Sequence, residues 1–300
     1  MKPFRLKPLP VVRVWGGHRL SPQSSQPVGE RWEIYGELQI EGCSETLDQL
    51  CVRLGRSLLG QWSPDPQLGF PLLIKWLDCQ DWLSIQVHPD DAVAPAGLRG
   101  KAEAWYFAEV ADHAEVIHGW KNGRPDRAQL QALAPADWLS YLKRYRPEAG
   151  SWSYTAPGTV HALGPGLLVY EVQQSSDLTY RLYDWDRLGL DGRPREMHVD
   201  RAIEAICDSV TEPVVEPPGD LLGHLEVICP HFMVESVTGS RQWSTTGQSF
   251  EIITALAPTH VNDHLLEEGA SILIPADAGA VGCSSAGSWL RVRLAPGQKE

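Results

Sequence analysis

The sequence predicts a mainly β protein with a few helices, and two observations carry that expectation. Glycine (27) and proline (23) are spread along the 300 residues, where they punctuate runs too short for ordinary helices. Many of those runs alternate apolar and polar residues, the period-two pattern of a strand with one buried face.

Taken in order, candidate strands cover residues 11–14, 30–35, 72–76, 83–87, 104–110, 114–117, 151–154, 167–173 and 179–183. Three helical stretches interrupt them. Ser44 is placed to cap a helix in which Leu47, Leu50, Cys51, Leu54 and Leu58 recur at helical spacing, ending near Gly60. A second stretch, 126–145, is broken at Ala134-Pro135, because proline removes a ladder donor. A third, 199–210, carries Ala202, Ile203 and Ile206 on one face. Residues 212–219 are dense in proline and read as a linker. Beyond them the pattern is again β-like, at 225–228, 232–236, 251–256, 271–275 and 289–294. The expected organisation is therefore a first domain over 1–211 and a smaller β domain over 220–300. The segment from Glu267 to Ala276 echoes the run from Trp152 to Pro157 as a strand entering a proline turn. No histidine follows its turn, so a second barrel there is expected to lack a metal.

Composition narrows the function. The formal net charge of −12 disfavours a nucleic-acid partner, since phosphate backbones need a basic footprint. No apolar run reaches the length of a membrane span, and the basic N-terminus has no apolar stretch behind it. The expectation is a cytoplasmic protein, monomeric or homodimeric, that binds a small molecule. Its six cysteines are scattered without a CxxC pair, which signals neither a thiolate zinc site nor a disulfide framework.

Chemistry concentrates in Leu83-Ser84-Ile85-Gln86-Val87-His88-Pro89-Asp90. On a strand, Gln86 and His88 leave the same face about 6.6 Å apart, and Pro89 ends the pairing. Two further segments offer donors: Glu103 opens the aromatic-rich run Ala104-Trp105-Tyr106, and His161 follows the turn Ala156-Pro157-Gly158. Gln86, His88, Glu103 and His161 make a set of nitrogen and oxygen donors suited to Zn²⁺ or another divalent first-row ion, with room left for water or substrate. Singly, each has an ordinary reading as a strand-end or turn residue; together they favour a β-barrel mouth holding a metal. Ser84 shares the Gln86 face and joins the candidates for substrate contact.

A second cluster follows His161. Arg181 and Arg187 are able to clamp a phosphate bidentately, and Lys101 adds a cation two residues before Glu103. Asp177 is the carboxylate best placed for proton work. The competing readings are an Arg187 paired with Asp184 or Asp186 and a Lys101 in solvent.

These segments resemble a known family. Phe70-Pro71-Leu72-Leu73-Ile74-Lys75-Trp76-Leu77-Asp78, the Gln86–His88 strand, Gly100-Lys101-Ala102-Glu103-Ala104-Trp105-Tyr106, Gly158-Thr159-Val160-His161-Ala162-Leu163-Gly164 and the run from Ser176 to Arg187 are similar, in order, to type I mannose-6-phosphate isomerase. Val14-Trp15-Gly16-Gly17 and Gly29-Glu30-Arg31-Trp32-Glu33-Ile34 resemble its opening strands. The likeness covers about residues 4–207 and is greatest to the short bacterial form. It implies a cupin-type β-barrel (jelly roll) with a second, degenerate cupin-like β domain. It also implies one Zn²⁺ held by Gln86, His88, Glu103 and His161, with Arg181 as the catalytic arginine. The lysine of the family's Lys-x-Glu motif falls on Lys101, and the aspartate before the arginine on Asp177. One departure is the proline of the last turn, shifted by one place at Pro157; another is Arg187, which has no sure counterpart in the long members. The implied reaction interconverts mannose 6-phosphate and fructose 6-phosphate through a cis-enediol, with Lys101 and Asp177 as candidates for proton transfer. Rival readings are a cupin acting on another phosphosugar, an iron dioxygenase and a sugar-binding cupin without catalysis.

Overall fold

A computed structural model describes residues 1–62, 67–207 and 217–297. The chain forms two compact units, each mainly β. Residues 10–32 and 73–207 belong to one; residues 1–9, 33–62, 67–72 and 217–297 belong to the other. This grouping departs from a division into 1–211 and 220–300. The N-terminal segments join the later strands through specific contacts: Phe4 bridges Leu273, and the Phe70 ring lies 4.7 Å from that of Phe250. Most of the proline-rich stretch read as a linker lies outside the described residues.

The first unit contains strands β1 (Leu9–Gly17), β2 (Val28–Ile34), β3 (Leu72–Cys79), β4 (Ile85–Val87), β5 (Glu103–Val110), β6 (Val116–Trp120), β7 (Leu142–Tyr145), β8 (Trp152–Thr155), β9 (His161–Leu163), β10 (Leu167–Gln174) and β11 (Tyr180–Tyr183). They make a six-stranded sheet in the order β1-β2-β3-β10-β5-β8 and a five-stranded sheet in the order β11-β4-β9-β6-β7. Strands distant in sequence are neighbours in both, as in a jelly roll.

The alternation at 83–87 has a consequence for burial. Ile85 and Val87 pack into an apolar cluster with Trp138, Leu130, Leu182 and Ile203, which belong to three short helices and β11. Ser84 and His88, on the other parity, are also buried, because that face looks into the space between the sheets. The expected half-exposed strand is thus covered on both sides. A second cluster, including Trp15, Leu77, Trp105, Phe107, Leu163 and Val169, fills the layer between the sheets.

The covering helices are α3 (Arg127–Ala132), α4 (Trp138–Tyr141) and α5 (Val199–Ala205). Asp126 caps α3 in a box with Gln129: its carboxylate accepts from the Gln129 amide, and the Gln129 side chain accepts from Asp126 N. The break anticipated at Ala134-Pro135 is a 3₁₀ turn over Pro135–Asp137. Residues 142–145, expected to be helical, form β7, whose Leu142 faces the apolar cluster while Lys143 and Arg144 face out.

In the second unit, α1 (Leu47–Leu54) starts two residues later than Ser44 suggested, with Thr46 as its cap. Gly55, at φ +50°, separates α1 from α2 (Arg56–Leu59). Strands β12 (His224–Ile228), β13 (Phe232–Thr238), β14 (Arg241–Ser244), β15 (Glu251–Ala255), β16 (Thr259–Val261), β17 (His264–Leu266), β18 (Ser271–Ile274), β19 (Ala280–Ser285) and β20 (Ser288–Leu294) build sheets of five and four strands. Their shared core contains Trp289, Val237, Ile253 and Ile272. Arg291 is buried with Glu251 and Glu235, its Nε 2.7 Å from Glu251 Oε2 and its Nη1 3.1 Å from Glu235 Oε1. None of the six cysteines is disulfide-bonded, and among the described residues no helix is long and apolar enough to cross a membrane.

Candidate metal centre and active site

Antiparallel register is what gathers the predicted ligands. Gln86 on β4 pairs directly with His161 on β9, and Glu103 opens β5 in the opposite sheet. His88 follows the end of β4 and is tied to the turn before β9 by Gly158 N donating to His88 O at 2.7 Å. That turn needs glycine. Gly158 has φ +84°, and a Cβ there would lie 2.9 Å from Cys207 N. The displaced Pro157 leaves the turn intact.

The result is a buried cluster. His88 Nε2 is 3.2 Å from Glu103 Oε1, and His161 Nε2 is 3.5 Å from Glu103 Oε2. His88, Glu103 and His161 are each about 1% exposed, and among the described residues they form the one group of three such donors close enough to share an ion. Glu103 Oε2 accepts no hydrogen bond, although it is fully buried. An orphaned carboxylate oxygen facing two imidazole nitrogens is a costly arrangement for an apo protein and a natural one for a cation.

The imidazoles are set up as ligands. His88 Nδ1 lies 2.6 Å from Leu178 O, and His161 Nδ1 lies 2.9 Å from Thr159 O. A carbonyl only accepts, so each Nδ1 carries the proton and each Nε2 turns its lone pair to the cluster. Burial lowers the His161 pKa to about 4, against the pull of Glu103, and burial together with the Lys101 charge lowers that of His88. Gln86 sits at the same place, its Nε2 3.4 Å from His88 Nε2 and 3.2 Å from His161 Nε2, while its Oε1 accepts from Ser84 Oγ at 3.0 Å. Turning the amide over would present oxygen to the cluster and keep a hydrogen bond to Ser84.

Beside the cluster lies a cavity of about 650 Å³. Ser84, Gln86, Lys101, Glu103, Asp177 and Arg181 all line it. Lys101 is buried with Nζ 2.9 Å from Glu103 Oε1, so it is not the solvated lysine of the competing reading. Arg181 pairs in register with Gln86, and its Nε donates to Ser84 Oγ at 3.2 Å. Asp177 is exposed at the rim. Arg187 differs: it is not among the cavity-lining residues, and its guanidinium is taken up by Asp81 at 3.1 Å and Asp184 at 2.9 Å. Charge pairing holds it outside the cavity lining.

Sequence reading passed over an ionic chain on the wall of the six-stranded sheet. Lys75 Nζ lies 2.8 Å from Glu171 Oε2 and 3.8 Å from Glu30 Oε2, and Arg13 Nε donates to Glu30 Oε1 at 2.9 Å. All four line the cavity. Trp105 Nε1 donates to Glu171 Oε1 at 2.9 Å. Burial, helped by the Glu103 charge, pushes the Glu171 pKa up to about 7 despite Lys75. The signal in the sequence was a charge within mainly apolar strands, at Lys75 in Leu72–Cys79 and Glu171 in Leu167–Gln174.

This site and fold have close relatives. Residues 19–116 match the family described as phosphomannose isomerase type I, catalytic domain. The chain is 33% identical over 291 residues to a mannose-6-phosphate isomerase of Streptococcus mutans, covering 88% of this chain and 89% of that one. It is 34% identical over 266 residues to mannose-6-phosphate isomerase ManA of Bacillus subtilis, with 83% and 81% covered. The crystal structure of the mannose 6-phosphate isomerase from Bacillus subtilis superposes with a TM-score of 0.84 at 29% identity, over 97% of this chain and 99% of that one. With relatives above 30% identity spanning most of its length, the chain belongs to the type I mannose-6-phosphate isomerase family.

Proposed function

We propose that this chain interconverts mannose 6-phosphate and fructose 6-phosphate, using a divalent metal, Zn²⁺ foremost, held by Gln86, His88, Glu103 and His161. The observation that carries the metal is the buried, unsatisfied Glu103 Oε2 set against two Nε2 lone pairs. When bound, such an ion supplies a Lewis acid for oxygens of the open-chain sugar.

The remaining work falls to side chains of the cavity. Its volume suits a hexose phosphate, which needs a pocket of roughly 300–1,000 Å³. Arg181, fixed by Ser84 Oγ and by Glu196 O at 3.1 Å, offers positive charge to the developing enediolate. Lys101 and Asp177, both lining the cavity, are the groups proposed to move the proton between C1 and C2. Lys101 is held by more than its ion pair: Lys101 N donates to Pro89 O, and the next amide, Ala102 N, donates to Gln174 Oε1. Trp15 and Trp105 add apolar wall and exclude water.

A coupled assay on mannose 6-phosphate tests the proposal, before and after chelation and with Zn²⁺ restored. Turnover that disappears with the metal and returns with it supports the reading. A chain that converts no mannose 6-phosphate when metal-loaded is not this enzyme. Oxygen-dependent turnover with bound iron would instead favour a dioxygenase.

A further inference from the structure

We propose that Arg195 is the phosphate-binding arginine of this cavity, and that Arg187 is a structural residue behind it. The inference rests on the phosphosugar reading above and names the groups that would recognise the phosphoryl end.

Two arginines grip one buried carboxylate, and Arg181 lies near enough to feel its charge. Arg195 Nε donates to Asp184 Oδ2 at 2.6 Å and its Nη2 to Asp184 Oδ1, while Arg187 Nη2 takes the same Oδ1 at 2.9 Å. Arg181 feels Arg195 as its strongest like charge, second only to burial in lowering its pKa, with Arg187 weaker. Asp184 and Asp81 balance two of the three guanidinium charges, which leaves one over, and the carboxylate of neighbouring Glu196 is 84% exposed. A chain with a net charge of −12 that keeps a surplus guanidinium charge at one cavity wall, on Arg181 and Arg195, is equipped for an anion there.

The free donors single out which arginines face it. Arg181 uses Nε on Ser84 and Nη1 on Glu196 O, so among the described residues only its Nη2 is left, for the reacting end of the sugar. Arg195 uses Nε and Nη2 on Asp184, leaving Nη1 without one. Both residues line the cavity. Arg187 spends both terminal nitrogens on Asp81 and Asp184, and its one unpartnered nitrogen, Nε, is buried outside the cavity lining. Arg195 is itself held in place. It follows a tight loop closed by Gly189 N to Arg193 O at 2.7 Å, and Asp191 of that loop turns its Oδ1 to Arg193 N. A bidentate pair on one edge and a free edge on the other is how an arginine is pre-oriented for a phosphate.

The test is the rise in melting temperature that millimolar inorganic phosphate produces in the metal-loaded protein, read beside kinetics. Wild type is expected to show the rise, Arg195→Ala to lose it, and Arg187→Ala to keep it from a lower starting temperature. The KM for mannose 6-phosphate should rise about 10- to 100-fold in Arg195→Ala, the cost of one charge-assisted contact, with kcat far less affected. Arg195→Lys retains a cation and a partner for Asp184. It secures the test if the alanine variant fails to fold, and should raise KM several-fold. A phosphate shift undiminished in the Arg195 variants, or absent from wild type, overturns the assignment. Failure of the isomerase reading shows separately, as wild type that binds phosphate but turns over no mannose 6-phosphate.

Discussion

Glu103 is the residue on which the centre turns. Its two oxygens face His88 and His161 at 3.2 and 3.5 Å, and Lys101 takes the first of them at 2.9 Å. Glu103→Gln keeps the shape but replaces an anionic donor with a neutral one. Metal content measured by atomic absorption should fall below one ion per chain, and turnover should drop by about 100-fold or more. A fully metallated and active Gln variant would show that this carboxylate is not a ligand. Glu30 gives a second prediction of a different kind. Burial pushes its carboxyl up, but the Lys75 and Arg13 cations prevail and hold it at about 2. A carboxyl depressed from an ordinary value near 4.3 stabilises the fold above that pH, by up to about 3 kcal/mol, and the contribution is lost as pH falls toward 2. Urea unfolding of wild type and Glu30→Gln should therefore differ most at neutral pH and converge below pH 3. A gap that stays constant across that range would mean the ion pairs contribute nothing. At this scale the convergence of Gln86, His88, Glu103 and His161, with Arg181 beside them, was legible in the sequence because strand parity and turn chemistry fix where such residues point. Glu171, Lys75 and Arg195 were not, since their roles depend on which strand or loop lies opposite, and period-two patterns carry no information about partners.

Elements set the precision of the centre. His161 depends on the turn at Gly158, where positive φ and the approach of Cys207 leave no room for a side chain. Gly158→Ala should destabilise the protein by about 1–3 kcal/mol, through strain and displacement of the segment after α5. It should also weaken metal binding, because β9 begins three residues on; unchanged metal affinity by competition with a chelator would separate the turn from the site. Trp138 is fully buried under β4 in the same cluster as Val87 and Ile85. Trp138→Ala should cost about 3–5 kcal/mol in chemical denaturation, the range for emptying an aromatic core position. The sequence foresaw most long strands and the break at Pro135, whose signals are local. It missed β7, β9, β14, β16 and β17, each four residues or fewer, for which periodicity has too few repeats to register, and the six-residue β19, whose small residues give little apolar contrast. It also read 142–145 as helix, because Leu142 fits both the helical period and the buried side of a short strand.

For the whole molecule, the grouping of chain segments was the least legible feature. Residues 1–9, 33–62 and 67–72 precede or interrupt the first barrel in sequence, yet pack with the strands after residue 217, as the bridge from Phe4 to Leu273 and the Phe70–Phe250 contact show. Nothing in a linear pattern distinguishes a strand that closes its own barrel from one that joins another. The functional consequence is simpler. All of the proposed chemistry lies within 10–32 and 73–207, where two sheets bring Gln86, His88 and His161 to face Glu103. Binding of the ion to the native state alone should raise that unit's thermal stability, so chelation lowers the melting temperature and Zn²⁺ restores it. The most direct test of the central claim is a metal titration of the apo enzyme followed by mannose 6-phosphate turnover. Activity should climb linearly and level off at one Zn²⁺ per chain in wild type, with no comparable gain in His161→Ala. Full turnover by the metal-free chain, or saturation by an ion bound equally well without His161, would contradict it.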